Sequence, residues 1–310
     1  MKRIALIGEC MIELNGTPFG EMRQTYGGDS LNTAVYLSRC TAGALEVSYV
    51  TAMGADALSR EIVRRWEDEG LRTEGVLTDE RRQPGLYLIQ LNAAGERTFL
   101  YWRSESAARH LLSHPDFPRA ERVLEAADMI YLSGISLAIL PPADRIRLLE
   151  WLEKRAAAGV PVAFDTNYRP RLWASADEAR TVFRRMFAAT ALALVTEEDE
   201  TALWGAEEDA AVRLRRFGAR DIVVKKGSDG CLCLEHGREA PLCVPCPEVK
   251  SPVDTTSAGD AFNAGFLAGF MAGKSFEEAA VQGHHLAAAV ICHKGAIIPP
   301  EAMAGRVFSM

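Results

Sequence analysis

The residues best suited to chemistry lie in segment 254–265, Asp-Thr-Thr-Ser-Ala-Gly-Asp-Ala-Phe-Asn-Ala-Gly, where a loop of small polar residues runs into a predicted helix. Ala258 and Gly259 carry almost no side chain, so their N–H groups can approach a ligand, and amides at a helix N-terminus suit a phosphate. Asp260 can accept a hydroxyl proton beside them. The segment predicts phosphoryl transfer to an alcohol, with Asp260 as base and the Ala258 and Gly259 amides as anion hole.

A first-turn acid is also common for a simpler reason, since it complements the helix dipole. The catalytic interpretation is favoured by a second glycine-containing segment upstream, Gly27-Gly28-Asp-Ser-Leu-Asn32. Its two glycines let the backbone pass close to a bound molecule, and Asp29 and Asn32 present polar groups toward one side. Taken alone, a turn followed by a helix cap would explain this segment.

Other nucleotide-binding motifs do not occur. The chain has neither G-x-x-x-x-G-K-[ST] nor G-x-G-x-x-G. The nearest string, residues 269–275, lies at the end of a predicted helix. Its Gly273 is expected to stop that helix, and Ser275 to cap the next one in a capping box with Glu278.

Composition narrows the class of protein. The 310 residues are 48% apolar and 25% charged, which is ordinary for a soluble enzyme, and the net charge of -7 gives no global attraction for nucleic acid or an anionic membrane. The apolar run near the N-terminus is too short for a signal peptide or a membrane span.

Seven cysteines without a secretory signal indicate reduced thiols in the cytoplasm. A zinc site at Cys231, Cys233, Cys243 and Cys246 is disfavoured by the single residue between the first two.

Strands alternate with helices along most of the chain, which predicts an α/β domain with a parallel sheet covered on both faces. The predicted strands are 2–8, 47–53, 128–133, 160–165, 192–196 and 221–226, and the predicted helices are 29–40, 57–69, 143–158, 177–188, 207–217, 258–272 and 275–292. We expect residues 29 and 30 to cap the first helix. No linker or repeat is present, so we expect one domain over residues 1–310.

Two segments depart from this alternation. Residues 11–26 are strand-like with Gly and Pro turns, and residues 85–103 contain two β-rich runs around Asn-Ala-Ala-Gly at 92–95, a hairpin signal. Both follow early strands. We expect them to form a small antiparallel sheet that acts as a lid over a ligand.

The two glycine-containing motifs together resemble the ribokinase-like (PfkB) carbohydrate kinases, and the resemblance extends from end to end of the chain. It implies a Rossmann-like α/β/α sandwich with a β-sheet lid, and ATP with Mg²⁺. It also implies Asp260 as base and an anion hole from the amides around 258–260. On the nucleotide side it implies an ATP-binding set of Lys225, Gly227, Gly230, Thr255, Ala258, Gly259 and His284.

Within that family the chain is most similar to the kinases of 2-keto-3-deoxygluconate, on Gly-Leu-Tyr-Leu at 85–88, Tyr-Trp-Arg at 101–103 and Asp-Thr-Asn-Tyr-Arg-Pro-Arg-Leu-Trp at 165–173. This similarity implies phosphorylation of the terminal 6-hydroxyl. It assigns to the sugar acid the residues Gly28, Asn32, Tyr87, Tyr101, Arg103, Arg169 and Asp260.

Residue chemistry supports a sugar acid independently, because a carboxylate needs a guanidinium and a neutral sugar does not. Arg103 and Arg169 are the candidates, although both could be solvated surface charges, and Tyr87 and Tyr101 could be hairpin core. A fructokinase, ribokinase or other hexose kinase remains an alternative, and a sugar-binding sensor without turnover is a further one.

One departure from the family concerns the metal. Most relatives carry Asn-x-x-Glu after the fifth strand, where this chain has Thr196-Glu-Glu-Asp199. Asp199 is therefore the candidate for an indirect contact with Mg²⁺.

The resemblance also suggests a K⁺ site beside Asp254 and Thr256. The exposed strand edges of a lid suggest that two or more copies of the chain assemble through it.

Overall fold

The computed structural model describes residues 1–17, 19–91, 97–303, 305 and 308. Its strands are β1 Lys2–Ile7, β2 Met11–Gly16, β3 Met22–Gly27, β4 Leu45–Gly54, β5 Val76–Asp79, β6 Gly85–Leu91, β7 Arg97–Trp102, β8 Met129–Ser133, β9 Val162–Asp165, β10 Leu192–Thr196, β11 Asp221–Lys225, β12 Cys231–Leu234 and β13 Leu242–Val244. Its α-helices are α1 Asp29–Thr41, α2 Ala57–Asp68, α3 Phe117–Glu125, α4 Gly134–Ala138, α5 Pro142–Ala157, α6 Ala176–Ala188, α7 Glu197–Trp204, α8 Ala210–Phe217, α9 Ala258–Ala272 and α10 Phe276–Val290.

Nine strands form the main sheet in the order β13-β12-β11-β10-β9-β8-β1-β4-β5. Pairing is parallel from β5 to β11 and antiparallel at β12 and β13. The central strands are buried on both faces, as parallel strands require. In β1, for example, Ile4 and Leu6 enter one apolar core while Ala5 and Ile7 enter the other.

The two cores explain the helix layers. Helices α1, α2, α9 and α10 contribute Leu31, Trp66, Phe266 and Leu286 to the first core. Helices α3 to α8 cover the opposite face, with Phe183 at the centre of an aromatic group whose rings meet edge to face. Each large apolar side chain buried in this way contributes about 1.5–3 kcal/mol. The predicted Rossmann-like α/β/α architecture is confirmed.

Glycines face the contact between helices α9 and α10 and let the two backbones approach closely. A Cβ on Gly265 would lie 2.8 Å from the backbone of Gln282 and Gly283, and a Cβ on Gly283 would lie 2.8 Å from Phe262 O. Both contacts involve backbone atoms that a rotamer change cannot move. Gly273 ends α9 in the left-handed conformation, and Ser275 and Glu278 form the predicted capping box at the start of α10.

A separate four-stranded sheet has the order β3-β2-β6-β7 and is built from the two segments that depart from the strand–helix alternation. Its outer pairs are antiparallel as predicted, but β2 and β6 pair in parallel, because both leave the main sheet at the same edge, so the prediction of an antiparallel sheet is wrong for the central pair. One face carries Met11, Glu13, Tyr87, Ile89, Phe99 and Tyr101, and the other carries Ile12, Leu14, Leu86, Leu88, Leu100 and Trp102. The side chain of Trp102 is 57% exposed. The predicted hairpin turn at 92–95 lies outside the described residues.

Several boundaries differ from the prediction. The predicted helix 207–217 begins only at α8, because the Asp209 side chain accepts from Val212 N and caps it there. Helix α7 before it was not predicted, since its first four residues are acidic and only Glu200 and Leu203 are buried. Helices α3 and α4 and strand β5 were also not predicted. Gly28, rather than residue 29 or 30, is the N-cap of α1, and it makes no side-chain capping bond.

Across the described ranges of the chain, no helix combines the length and the apolarity needed to cross a membrane.

Candidate active site

Asp260 lies in the first turn of α9, where α9 packs against α1. Its Oδ2 accepts hydrogen bonds from Asn32 Nδ2 at 2.9 Å and from Ser257 Oγ at 2.8 Å. Thr33 Oγ1 also donates to the Asp260 carbonyl oxygen at 3.3 Å. Both side-chain bonds go to one oxygen, so Oδ1 is free of partners among the described residues and can face an incoming hydroxyl group.

Burial and, to a smaller extent, the nearby carboxylate of Asp29 raise the pKa of Asp260 to about 7, against the lowering effect of the Asn32 and Ser257 hydrogen bonds. Asp29 is the first residue of α1, and its Oδ2 accepts from Asn167 Nδ2 at 2.8 Å. A base with a pKa near the working pH is suited to proton transfer. Asp260 is therefore deprotonated for a useful fraction of the time at neutral pH and still basic enough to accept a proton.

The loop before α9 sets the direction of the backbone amides. Ser257 has φ 66 and ψ 10, a left-handed conformation that is uncommon outside glycine. The Ala258 N–H donates to Thr255 O at 3.2 Å, which differs from the expected free donor. The N–H groups of Gly259 and Asp260 have no hydrogen-bond partner among the residues that the structure describes. These two amides, at the positive end of the α9 dipole, are the free donors for an anion.

A buried ammonium lies next to these amides. Lys225 Nζ, at the end of β11, is 3.7 Å from the position of a Cβ on Gly259. It donates to Asn263 Oδ1 at 2.9 Å and to Asp165 Oδ2 at 3.2 Å, and Asn263 Nδ2 donates to Asp165 Oδ2 at 2.7 Å. This network fixes the Lys225 ammonium, ion-paired with Asp165, beside the free amides.

In the glycine turn before α1, the backbone at Gly28 packs directly against the backbone at Glu9. A Cβ on Gly28 would lie 2.0 Å from Glu9 O, so no larger residue fits there without moving the chain. Tyr87 Oη, which donates to the Glu13 carboxylate, lies 3.5 Å from the Cβ position of Gly27. The face of the small sheet that carries Tyr87 is thus turned toward the glycine turn. The Tyr101 ring lies 6.0 Å from that of Tyr87 and is about half exposed.

Both candidate arginines form an ion pair with a carboxylate of the protein itself. Arg103 Nη2 donates to Glu9 Oε2 in a largely buried ion pair. Arg169 Nη1 donates to Tyr168 O at 2.9 Å and to Asp199 Oδ1 at 3.2 Å, while its side chain is 52% exposed. Burial raises the pKa of Asp199, and Arg169 opposes that effect. Asp199, the metal candidate, therefore contacts an arginine assigned to the sugar.

The nucleotide-side residues are spread over three elements. Gly227 and Gly230 form the tight turn between β11 and β12, both with positive φ, and a Cβ on Gly230 would lie 2.2 Å from Val244 O. Thr255 is exposed in the loop before α9. His284 is buried in α10 against the Phe262 ring, with a centroid distance of 4.9 Å. The ATP-binding role of His284 stays a prediction.

Comparison with known proteins places this geometry in a family. The chain matches the sequence profile described as pfkB family carbohydrate kinase over residues 1–303. It belongs to that family. It is 50% identical over 307 residues to the 2-dehydro-3-deoxygluconokinase of Haemophilus influenzae, covering 98% of each chain, and 46% identical over 309 residues to that of Escherichia coli strain K12, covering 97% of this chain and 99% of the relative.

Among solved structures, the aminoimidazole riboside kinase of Salmonella enterica, complexed with aminoimidazole riboside and an ATP analog, superposes with a TM-score of 0.81 at 23% identity. The match covers 99% of this chain and 100% of that one. The 2-dehydro-3-deoxygluconokinase of Thermotoga maritima gives 0.80 at 20% identity over 96% of both chains. At these identities the structures establish the shared fold alone.

The sequence did not single out several residues of this pfkB site. Glu9, Glu13, Asp165, Asn167 and Asn263 all lie beside predicted site residues in the structure. A partial signal was available, since Asp165 and Asn167 fall in a string quoted for the resemblance. The acids Glu9 and Glu13 gave none, because each stands among apolar residues of an early strand region without a visible partner.

Asp260→Asn removes the proton acceptor but keeps the shape of the side chain. We expect kcat to fall by at least ~10²-fold with substrate binding largely intact. In the unmodified enzyme, kcat/KM should decrease as pH falls through about 7, because Asp260 becomes protonated there. Steady-state kinetics from pH 5 to 9 measures both effects. Near-normal turnover in the variant would contradict the role of Asp260.

Asp29→Asn tests the electrostatic contribution separately. The amide has the size of the carboxylate and can still accept from Asn167, but it removes the negative charge that raises the Asp260 pKa. We therefore expect the acidic limb of the kcat/KM profile to move to lower pH. An acidic limb at the same pH as in the unmodified enzyme would show that Asp29 does not act on Asp260.

Proposed function

We infer that this protein phosphorylates 2-keto-3-deoxygluconate, also called 2-dehydro-3-deoxygluconate, at its terminal 6-hydroxyl. The products are 2-keto-3-deoxy-6-phosphogluconate and ADP. The observation that carries this inference is the 46–50% identity, over nearly the full chain, to several kinases of this sugar acid. The arrangement of Asp260 beside free amides supplies the chemistry that such a kinase needs.

The reaction follows from the positions of three groups. The 6-hydroxyl approaches Asp260 Oδ1 and loses its proton to this carboxylate as the bond from O6 to the γ-phosphorus forms. The bond from that phosphorus to the bridging oxygen of ADP breaks on the opposite side. The Gly259 and Asp260 amides and the Lys225 ammonium stabilise negative charge on the transferred phosphoryl group, because these donors are already in position before the reaction.

The sugar acid is held, in this proposal, by the residues at the glycine turn and on the small sheet. Gly28 and Asn32 approach its hydroxyl groups, and Tyr87 and Tyr101 lie along its chain. Arg103 and Arg169 receive the carboxylate. A charged hydrogen bond contributes about 1.5–3 kcal/mol, which is roughly tenfold or more in affinity, so two such contacts can separate an acid from a neutral sugar.

ATP is placed across the Gly227–Gly230 turn, Thr255 and the start of α9. In the described ranges, no group of three or more His, Cys, Asp or Glu side chains could hold a metal ion. This fits Mg²⁺, which usually binds through one or two carboxylates together with substrate phosphates. Asp199 is the residue that would contact Mg²⁺ indirectly, and bound Mg²⁺ would neutralise phosphate charge.

K⁺ is placed beside Asp254 and Thr256, where the buried Asp254 carboxylate accepts from the N–H groups of Thr256 and Gly295.

The test of the function is ADP release with a panel of 2-keto-3-deoxygluconate, gluconate, fructose and ribose. We expect the keto acid to give the highest kcat/KM, and Arg169→Ala to raise its KM far more than the KM for ATP. A neutral sugar that outperforms the keto acid would select a hexose or pentose kinase instead. Absence of ADP release with every sugar would favour a binding protein without turnover.

We further propose that the small sheet closes over the sugar and joins two copies of the chain, and that the protein works in the cytoplasm. The sheet face with Leu86, Leu88, Leu100 and Trp102 is apolar and partly exposed, and β7 is an edge strand among the strands that the structure describes. All seven cysteines are free, which fits a reducing compartment.

Trp102→Glu places a charge on that apolar face, where it would oppose self-association. We expect a lower apparent mass by light scattering than for the unmodified protein. Val212→Glu is the matched control, since Val212 is exposed to a similar degree, 58%, on the outer helix α8. An unchanged mass in the Trp102 variant, or the same mass change in the control, would argue against assembly through this sheet.

A further inference from the structure

We propose that Glu9 is a positioning residue that fixes the guanidinium of Arg103 for the carboxylate of the sugar acid. The proposal rests on the binding role given to Arg103 above. It assigns a purpose to a buried acid that the phosphoryl-transfer chemistry does not use. It also explains how an arginine at the base of the small sheet can be aimed before any ligand arrives.

Glu9 lies just past the carboxyl end of β1, at the edge of the main sheet where ligands bind in this class of fold. Its side chain is 1% exposed and that of Arg103 is 11% exposed. A carboxylate this deeply buried is costly unless it is paired. Among the described residues, Arg103 is the cation that pairs with it. The ion pair therefore connects the main sheet to the residue that follows β7.

The contact uses only one side of the guanidinium. Arg103 Nη2 donates to Glu9 Oε2, while Arg103 Nε and Glu9 Oε1 are buried and have no hydrogen-bond partner among the described residues. The other amino group, Nη1, donates to no residue in the described part of the chain. A guanidinium can bind two carboxylates at once, because its N–H donors point outward along different edges of the same plane. Glu9 thus holds one amino group and leaves Nη1 to a ligand.

The surrounding backbone keeps the pair in place. A Cβ on Gly85 would lie 3.1 Å from Glu9 Oε1 and 3.0 Å from Arg103 Cβ, so the backbone of β6 packs closely against the pair and a larger residue there would crowd it. Gly28 packs on the carbonyl of Glu9 from the other side. The Arg103 guanidinium also lies 6.0 Å from the centre of the Tyr101 ring. These contacts limit the orientations that a long side chain would otherwise sample.

Competition is the opposite interpretation, in which Glu9 occupies Arg103 and weakens binding of the substrate carboxylate. The two interpretations predict opposite changes. If Glu9 positions Arg103, removing its charge frees the guanidinium to move and weakens binding of the acid. If Glu9 competes, removing its charge strengthens binding. The burial of both partners and the free Nη1 favour positioning.

Glu9→Gln is the decisive variant, measured by steady-state kinetics with 2-keto-3-deoxygluconate and ATP. We expect KM for the sugar acid to rise about tenfold or more, the loss of one charged hydrogen bond, with kcat and the KM for ATP within twofold of their original values. Glu69→Gln is the control, because Glu69 forms a largely buried ion pair with Arg39, a residue that is given no role in binding. This control should lower the unfolding temperature without changing either KM.

Arg103→Lys, alone and combined with Glu9→Gln, separates this proposal from the proposed function. If Arg103→Lys leaves KM for the acid unchanged, the role of Arg103 itself is wrong. If it raises KM while Glu9→Gln leaves KM unchanged or lowers it, only the positioning role of Glu9 is overturned. Positioning predicts that the double variant is no worse than Arg103→Lys. Should Glu9→Gln not fold, Glu9→Asp replaces it: a raised KM for the acid alone supports the proposal, and an unchanged KM overturns it.

Discussion

The hydrogen bonds that hold the Asp260 carboxylate between α1 and α9 are the interaction on which the rest of the site depends. Asn32 comes from one helix and Ser257 from the loop that opens the other, so the carboxylate keeps its position only while both helices stay in register. The same first turn of α9 supplies the free amides. One short segment therefore fixes the distance between the proposed proton acceptor and the proposed phosphoryl-binding amides, and phosphoryl transfer depends on that distance.

The main sheet supplies the remaining groups from its carboxyl edge. Asp165 ends β9 and Lys225 ends β11, on either side of β10, and Glu9 lies just beyond β1. Because parallel strands all finish on the same side, residues far apart in sequence meet there without long loops. The small sheet stands at the same edge and brings Tyr87 and Arg103. Under the proposed function, the two sheets have separate tasks: the large sheet positions the groups for phosphoryl transfer, and the small sheet carries the residues assigned to the sugar acid.

Much of this could be predicted from the sequence, because the informative features are local. Gly28, Asn32 and Asp260 lie in short motifs whose glycines and polar residues have a direct physical meaning, and the alternation of strands and helices predicts the layered fold. What could not be predicted depends on contacts between distant segments. Nothing near Glu9 indicates that Arg103 pairs with it, and the Lys225 network joins three separate elements. Helix α7 was missed because its burial comes from two residues alone.

The glycines at the contact between α9 and α10 have a consequence for how this protein can change over evolutionary time. At Gly265 and Gly283 even one added methyl group meets fixed backbone, so substitutions there would push α9, whose first turn carries Asp260, away from α10. Sequence variation that adapts the enzyme to new temperatures or new sugars must therefore accumulate elsewhere. The outer helices and the small sheet contact the reacting atoms less directly, so substitutions there are expected to be tolerated better.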